Sequence, residues 1–249
     1  MNETLKQLYA RKSVRVYEDK PISPEDRRAI LTAAIMAPTA GCQQLYTILD
    51  ITDPGLRLRL SETCDHQPFI AQAKLALVFL ADCRKWYEGF RAAGCAPRKP
   101  GPGDLLLACA DALAAAQNAV VAAESLGIGS CYIGDILENC EEHRALLGLP
   151  EYVVPAAMLV FGWPTGQQQR RPKPARTGLE HIVFENAYPD RDADALRAAF
   201  AARTGAQPYD EWMRAFCRRK YDSDFAREMN RSAAVYLRDF EADDNAQTD

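Results

Sequence analysis

The stretch DLLLACADALAAAQNAVVAAESLGIGSCYIGD, residues 104–135, tells most about the fold of this chain. Residues 104–126 predict one helix of roughly six turns, since an α-helix has about 3.6 residues per turn. Alanines fall on every face of this helix, so we expect it to be buried all round and to pack closely against other helices. Gly127 is a C-cap residue, and the CYIGD that follows is typical of a strand.

Apolar runs of strand length lie on either side of this helix in the sequence. LALVFLA, residues 75–81, is continuous and predicts a central strand that is covered on both faces. Residues 45–51 and 153–163 predict two further strands. This order predicts an α+β or α/β fold in a single domain, residues 1–249, with an amphipathic helical extension at about 190–240.

The composition argues against several classes of function. The chain of 249 residues is 48% hydrophobic and 26% charged, which is typical of a globular protein. Its net charge of -4 argues against nucleic-acid binding, which usually needs a basic domain. No apolar run approaches the roughly 20 residues of a spanning helix, so we expect no membrane contact. The N-terminus has no apolar signal core, so the sequence predicts a cytoplasmic protein.

The eight cysteines and three histidines do not form a recognisable metal motif. No C-x-x-C pair is present, and no two histidines are close enough in sequence to share one helix face. We therefore expect no metal site, and we expect reduced thiols that mostly act as small buried packing residues. A G-x-S-x-G elbow is also absent, so nucleophilic catalysis has no local signature in the sequence.

Two short basic segments stand out against the acidic total. RKSVR, residues 11–15, holds three cations and a hydroxyl, a combination that suits phosphate oxygens. RRPKPAR, residues 170–176, holds four cations in seven residues, and its two prolines stiffen the loop. Either segment taken alone is also typical of a solvated turn, and block charge like that of the second also occurs in nucleic-acid-binding segments.

Two segments rich in small residues would let the backbone approach a ligand. APTAGCQQ, residues 37–44, leads from a helix into a strand. GIGSCYIGD, residues 127–135, contains G-x-G but follows a helix, whereas the dinucleotide-binding fingerprint needs a strand, a loop and then a helix. We therefore reject a Rossmann fold. An ordinary loop is the alternative for the first segment, and a C-cap explains Gly127 but not Gly134.

Taken in order, these four segments resemble the flavin-dependent nitroreductase family over nearly the whole chain. The R-x-S-x-R motif at 11–15 is followed by PIS at 21–23 and by an A-P-T/S-small-small loop at 37–41. The motifs similar to the larger, oxygen-insensitive, NADPH-preferring branch of nitroreductases and flavin reductases are QPFIAQA at 67–73, AAESLGIGSCYIGDI at 122–136, LLGLPEYVVP at 146–155 and GWP at 162–164. Any one motif is weak, whereas the ordered set is specific.

The resemblance implies an α+β fold in which a mixed sheet is surrounded by helices, and an interlocked homodimer with FMN at its interface. The Ala-rich helix at 104–126 fits such an interface, because small residues let helices approach closely. The residues that fall on the family's FMN contacts are Arg11, Lys12, Ser13, Arg15, Thr39, Ala40, Gly41, Gln67, Tyr132, Ile133, Gly134, Asp135, Lys173 and Arg176.

The resemblance also implies distinct roles for these residues. The cations of 11–15 would share one phosphate with Lys173 and Arg176, and Arg15 would lie near the flavin edge, where a cation stabilises reduced flavin. Residues 39–41 would reach the flavin from the partner chain, and residues 132–135 would cover one flavin face. Close backbone approach would then explain Gly134.

The chain departs from the family pattern at three places. Cys42 stands where many relatives carry Asn, and Asp135 stands where the nearest branch often has Gly. Lys173 and Arg176 are separated by one residue more than in the K-P-R pattern.

The resemblance implies an FMN-dependent oxidoreductase. It would take two electrons from NAD(P)H and pass them, by a ping-pong mechanism, to nitroaromatic, quinone or similar acceptors. The flavin carries the chemistry, so we expect no catalytic acid or base from the protein. Three alternatives stay open: a flavin reductase or specialist enone or metabolite reductase with the same site, a non-catalytic FMN-binding protein, and a flavin-degrading enzyme.

Overall fold

A computed structural model describes residues 1–241, and residues 242–249 of the predicted domain lie outside the described residues. The helices are α1 (Glu3–Ala10), α2 (Pro24–Ile35), α3 (Pro54–Thr63), α4 (Pro68–Gln72), α5 (Arg84–Ala92), α6 (Pro102–Ser125), α7 (Cys140–Leu147), α8 (Gly166–Arg170), α9 (Ala193–Thr204), α10 (Tyr209–Lys220) and α11 (Asp224–Leu237). The strands are β1 (Tyr46–Asp50), β2 (Leu75–Asp82), β3 (Gly129–Ile133) and β4 (Val153–Gly162). Strands and helices in this mixture confirm the α+β class.

The strands form one antiparallel sheet in the order β1-β2-β4-β3. Every residue of the inner strand β2 is buried, as its continuous apolar sequence predicts. The expectation of a mixed sheet is corrected for the described residues. Residues 13–17 do not form a strand. They make two isolated bridges, and the one between Ser13 and Ser130 is the parallel pairing in the described residues.

The long helix α6 packs against the sheet and against α2. Its buried residues are Leu105, Ala108, Asp111, Ala112, Ala115, Ala116, Ala119, Val120 and Ala123. Most of these side chains are small, so the helix axis comes close to the strands. Those from Ala112 to Ala123 share a core cluster with Leu77 and Phe79 of β2, while Val78 and Leu80 belong to a second cluster with residues of α3 and α4.

The expectation that α6 is buried all round is wrong for a single chain. Leu106 is 73% exposed and Leu113 is 44% exposed. Together with Ala110 and Gln117, which are also exposed, they recur every three or four residues and form one face, called here the α6 stripe. Contrary to the sequence prediction, α6 is long and apolar enough to cross a membrane, but its opposite face is buried in the core cluster.

The contacts divide the chain into two compact units. The first contains residues 1–171 together with the chain from Glu228, and the second contains residues 172–227. In the second unit, α9 packs against α10, and Trp212 and Phe216 stack with their ring centroids 4.9 Å apart. The helices α9, α10 and α11 lie within the extension predicted at about 190–240, and the domain organisation stays a prediction.

The last described residues belong to the core of the first unit. The Cys140 N–H donates to Ser232 Oγ at 3.0 Å, so α11 is bonded to the first turn of α7. Tyr236 and Phe240 are each 1% exposed. The C-terminal segment is therefore held against the first unit by burial of apolar side chains as well as by hydrogen bonds.

Candidate functional site

The basic segment at 11–15 lies along the edge strand β3. Val14 is buried, and its N–H donates to the β3 backbone at 2.9 Å. A Cβ added at Gly129 would stand 2.5 Å from Val14 Cγ2, and one added at Gly162 would stand 2.5 Å from Tyr17 Cδ1. These glycines are register partners, so together they let the segment lie against the sheet.

The two basic segments meet where Lys12 contacts the chain around the end of α8. The Lys12 ammonium donates to the backbone oxygen of Gln169 at 2.7 Å and to that of Arg171. The Arg171 guanidinium donates in return to the backbone oxygen of Ser13. Arg171 is not among the residues predicted from the sequence, although the run RRPKPAR signals it.

Lys173 and Arg176 lie in the second compact unit, residues 172–227. Lys173 is half-buried and Arg176 is exposed. Their place beside residues 11–15 stays a prediction.

Arg11 carries buried donors that have no acceptor. Its Nε and Nη2 atoms are buried and have no hydrogen-bond partner among residues 1–241, while its guanidinium lies 5.9 Å from the centroid of the Tyr132 ring. An unsatisfied buried donor costs roughly 1–3 kcal/mol, and more when it is charged. An oxygen of a phosphate or a flavin carbonyl would satisfy these donors, so the residues present fit an anionic or carbonyl-bearing cofactor.

Tyr132 and Gly134 border the same end of β3. The Tyr132 hydroxyl donates to Gln117 Oε1 of α6 at 3.3 Å, and burial raises the pKa of Tyr132 to about 12. Ile133 is buried. Gly134 is exposed, and its φ of -80° does not require glycine. An added Cβ there would meet open space, so this backbone is accessible to a ligand.

Arg15 and Gln67 are connected through Phe69. Arg15 is exposed, and its guanidinium lies 5.8 Å from the centroid of the Phe69 ring. Gln67 is the N-cap residue of α4, and its Nε2 donates to the Cys64 backbone oxygen at 2.8 Å. Gln67 is therefore two positions along the chain from Phe69, whose ring lies under the Arg15 guanidinium.

Asp135 is one of several carboxylates beyond β3. Glu138 is 5% exposed, and its Oε1 has no hydrogen-bond partner in the described chain. Burial raises the pKa of Glu138 to about 7, and the charges of Asp135, Asp65 and Glu228 add to the effect. Negative charge here disfavours anionic ligands close to Asp135. Across residues 1–241, no group of three or more His, Cys, Asp or Glu side chains is arranged to hold a metal ion.

Residues 39–41 are held by Asp111 of α6, which is 5% exposed. The Asp111 carboxylate accepts hydrogen bonds from Thr39 Oγ1, from Ala40 N at 3.0 Å and from Leu45 N at 3.1 Å. Gly41 has a φ of +56°, which favours glycine. Sequence reasoning missed Asp111, although it is the only charged residue from 105 to 123.

Within one chain, residues 39–41 and residues 11–15 lie at opposite edges of the sheet. The first group precedes β1 and the second lies beside β3, with β2 and β4 between them. Strands are about 4.8 Å apart, so the four spacings from β1 to the segment outside β3 amount to about 19 Å. One chain therefore brings 11–15 and 132–135 together, and leaves 39–41 apart from them.

Eight free cysteines divide evenly between buried and accessible positions. Cys64, Cys83, Cys131 and Cys140 are buried, as expected for packing residues. Cys42 is exposed and has a φ of +56°, directly after the 39–41 loop.

Known proteins resemble this chain in sequence and in fold. The nitroreductase family matches residues 8–163. The oxygen-insensitive NADPH nitroreductase of Salmonella typhimurium is 35% identical over 79% of both chains. The NAD(P)H FMN reductase of Bacillus subtilis is 29% identical over 95% of this chain and 91% of its own. The solved structure of B. megaterium NfrA2 superposes with a TM-score of 0.83 and 27% identity, covering 97% of this chain and 100% of that one.

These matches confirm the resemblance inferred from the ordered motifs. The family match alone covers more than half of the sequence, and it includes the strands β1 to β4 and the helix α6. The chain belongs to the nitroreductase family.

Proposed function

We propose that this protein is an FMN-dependent oxidoreductase that takes two electrons from NAD(P)H and reduces small acceptors such as nitroaromatics and quinones. The observation that carries the proposal concerns Arg11, which belongs to a segment with three cations and whose buried donors have no acceptor among residues 1–241. The relatives named as NADPH nitroreductase and FMN reductase support the same chemistry.

The cofactor site would be built mainly from the segment along β3. Arg11 would donate to a cofactor oxygen, and Ser13 and Arg15 would contact the same molecule. Lys12 holds residues 169–171 close to them. Gln67 and residues 132–135 would border the flavin ring. Lys173 and Arg176 are assigned to the phosphate by the family resemblance alone.

Two copies of the chain would complete each site. Thr39, Ala40 and Gly41 lie at the sheet edge far from residues 11–15, so a second copy is needed to bring them to the same flavin. The α6 stripe supports this homodimer, because its exposed leucines, Leu106 and Leu113, would be stabilised by burial against another chain.

When bound, FMN supplies the two-electron chemistry, and ping-pong turnover lets donor and acceptor use one pocket in succession. The protein binds and orients, and the accessible backbone at Gly134 allows close approach to the ring. The Arg15 cation favours the reduced, negatively charged cofactor. No side chain is assigned as a catalytic acid or base. A cytoplasmic location and reduced thiols are part of the same proposal.

The purified protein should retain FMN and should oxidise NAD(P)H faster when a naphthoquinone or nitroaromatic is added. Arg11→Ala should weaken FMN affinity roughly 10- to 150-fold, because a charge-assisted hydrogen bond contributes about 1.5–3 kcal/mol. Arg28→Ala, at an exposed cation of α2, is the matched control and should leave the affinity unchanged. Failure to retain or take up FMN would overturn the proposal.

A flavin reductase is the second candidate, and the match to a B. subtilis FMN reductase over 95% of this chain favours it. Free FMN would then be the best acceptor. The ratio of kcat/KM for free FMN to that for a naphthoquinone distinguishes the two candidates. Bound FMN without any acceptor-dependent oxidation of NAD(P)H would indicate the non-catalytic alternative.

A further inference from the structure

Glu138 lies in the turn between β3 and α7. It directly follows the 3-10 turn Asp135–Leu137 and comes two residues before α7 begins. Its side chain is 5% exposed, and its Oε1 has no hydrogen-bond partner among residues 1–241. Burial disfavours the charged form of a carboxylate that lacks donors, so Glu138 holds a proton more tightly than an exposed glutamate does.

Carboxylates from three other parts of the chain face Glu138. One belongs to the 3-10 turn, one follows α3 and one lies in α11: Asp135, Asp65 and Glu228. Like charges close together disfavour ionisation. Burial, and then these three charges, raise the pKa of Glu138 to about 7, so this side chain changes its charge near neutral pH.

The neighbouring side chains that are not acidic are neutral or already paired. Burial lowers the pKa of His143, which stays neutral at pH 7, and burial raises the pKa of the Cys64 thiol, which stays protonated. Arg231 of α11 is a nearby cation, and it binds Glu228 and Glu141 with contacts of 2.8 Å. The other charged side chains of α7 are paired as well, Glu142 with Arg59 and Arg144 with Asp239.

Glu228 connects the turn to α11. Its Oε1 accepts hydrogen bonds from the Asn139 N–H at 3.1 Å and from Ser232 Oγ at 2.8 Å. Asn139 has a φ of +49°, and its Nδ2 donates to the Thr63 backbone oxygen at 2.8 Å. Glu228 is also the first residue of the chain that rejoins the first unit after residues 172–227. The start of α11 is therefore attached through an acceptor whose charge acts on Glu138.

We propose that Glu138 is a pH switch that controls how tightly α11 is attached to residues 135–139. When Glu138 is neutral, the Glu228 carboxylate keeps its hydrogen bond from Asn139. Loss of the proton to solvent adds a second negative charge in a buried place, and repulsion between Glu138 and Glu228 weakens that bond.

Glu228 is charged whenever Glu138 titrates. Its hydrogen bond with the Arg231 guanidinium holds the pKa of Glu228 at about 2. The attachment of α11 should therefore loosen as pH rises through about 7, where Glu138 loses its proton. Residues 132–135, which the proposed function assigns to the flavin, lead directly into this turn, whereas the switch itself needs no cofactor.

Hydrogen–deuterium exchange at pH 6 and pH 8 tests the switch, because amide protection reports local opening. Protection factors, corrected for the intrinsic pH dependence of amide exchange, should be at least threefold lower at pH 8 in peptides that cover residues 138–140 and 228–236. Peptides from α5, a helix without buried residues, should stay within twofold. An equal fall in α5, or no fall at residues 138–140, would overturn the proposal.

Two variants separate the charge from the fold. Glu138→Gln is uncharged at both pH values, so its protection factors should agree within twofold. Glu228→Gln keeps an oxygen that can accept from Asn139 but removes the repelling charge, so less than half of the wild-type difference should remain. Glu25→Gln, at an exposed carboxylate of α2, should keep the full difference.

A pH effect that is as large in either cluster variant as in the wild type refutes the switch. Glu228→Gln decides alone if Glu138→Gln does not fold. Exchange is measured on the protein as purified and repeated after removal of any FMN. A protein that lacks FMN therefore contradicts the proposed function and leaves this test intact.

Discussion

At the scale of single residues, the carboxylate of Asp111 determines the path of the loop that precedes β1. It is buried and accepts three hydrogen bonds, two of them from the backbone of Ala40 and Leu45. Buried backbone N–H groups need acceptors, because an unsatisfied one lowers the stability of the folded protein by about 1–3 kcal/mol. The conformation of Thr39, Ala40 and Gly41 therefore depends on a residue 70 positions later in the chain.

Asp111→Asn should lower the free energy of unfolding by about 1–3 kcal/mol, because an amide NH₂ would face donors that need an acceptor. FMN affinity should fall as well if the loop borders the cofactor. Urea unfolding and a flavin titration measure the two effects. Asp19→Asn makes the same chemical change at a fully exposed carboxylate and should alter stability by less than about 0.5 kcal/mol. Equal effects of both variants would contradict the role of Asp111.

Glu138 should make stability depend on pH. Its pKa is about 7 in the folded protein against an ordinary 4.5, because the side chain is buried near other carboxylates. Between these values the folded state holds the proton more tightly than the unfolded chain, so the free energy of unfolding falls as pH rises and levels off above about 7. The fall is at most about 3.5 kcal/mol, at about 1.4 kcal/mol per pKa unit.

Urea unfolding at pH 5 and pH 7.5 tests this dependence. Glu138→Gln should remove most of the difference between the two pH values and should be more stable than the wild type at pH 7.5. Glu18→Gln, at an exposed carboxylate, should retain the wild-type difference. A Glu138→Gln curve parallel to that of the wild type would show that another group causes the dependence.

Runs of charged residues predicted candidate site residues from the sequence, whereas the partners of a single charged residue could not be predicted. The segment 11–15 was identified because its cations are local in sequence. Asp111 is one carboxylate in an alanine-rich helix, and its hydrogen-bond partners lie about 70 residues away in the sequence. No local sequence pattern therefore predicts its role. The close contact between Gly129 and Val14 was likewise invisible, because it depends on which strand the segment crosses.

At the scale of elements, apolar runs predicted the strands well because β2 and β4 are buried along nearly their whole length. The prediction for α6 was right in extent and wrong in burial. Alanine is compatible with a buried face and with an exposed one, so composition alone does not say which side of α6 lacks a neighbour in the same chain. The positions of the sheet and of α2 on the helix identify the exposed α6 stripe, because they show which face is covered.

Leu113→Glu should convert a dimer into monomers, since it places a charge in the middle of the α6 stripe, where Leu113 is 44% exposed. Burying one unpaired charge in an interface costs several kcal/mol, which is a large share of a typical dimer's association free energy. Sedimentation velocity over a range of concentrations measures the change. Leu58→Glu, at an exposed leucine of α3 that is 53% accessible, should remain dimeric. A monomeric wild type would contradict the dimer itself.

At the scale of the whole molecule, strand order is the reason that the proposed site would need two chains. The edge strands β1 and β3 are adjacent to the two groups of candidate cofactor contacts, and the inner strands keep these groups apart. The ordered motifs predicted both groups, but their separation depends on long-range pairing that a linear sequence does not display. A twofold axis that brings the β1 edge of one copy to the β3 edge of the other would create two identical sites.

Complementation between two defective variants tests this arrangement. Arg11→Ala damages the β3 side of a site, and Gly41→Val damages the 39–41 side, because valine is strained at a φ of +56°. In a heterodimer of the two, one site carries both defects and the other carries neither. Random pairing of co-expressed chains makes about half of the dimers mixed, so about a quarter of all sites should bind FMN with wild-type affinity. Flavin titration of the co-expressed mixture, compared with each variant alone, should show this fraction. Its absence in well-folded dimers, with both variants impaired alone, would show that the two groups of contacts come from the same chain.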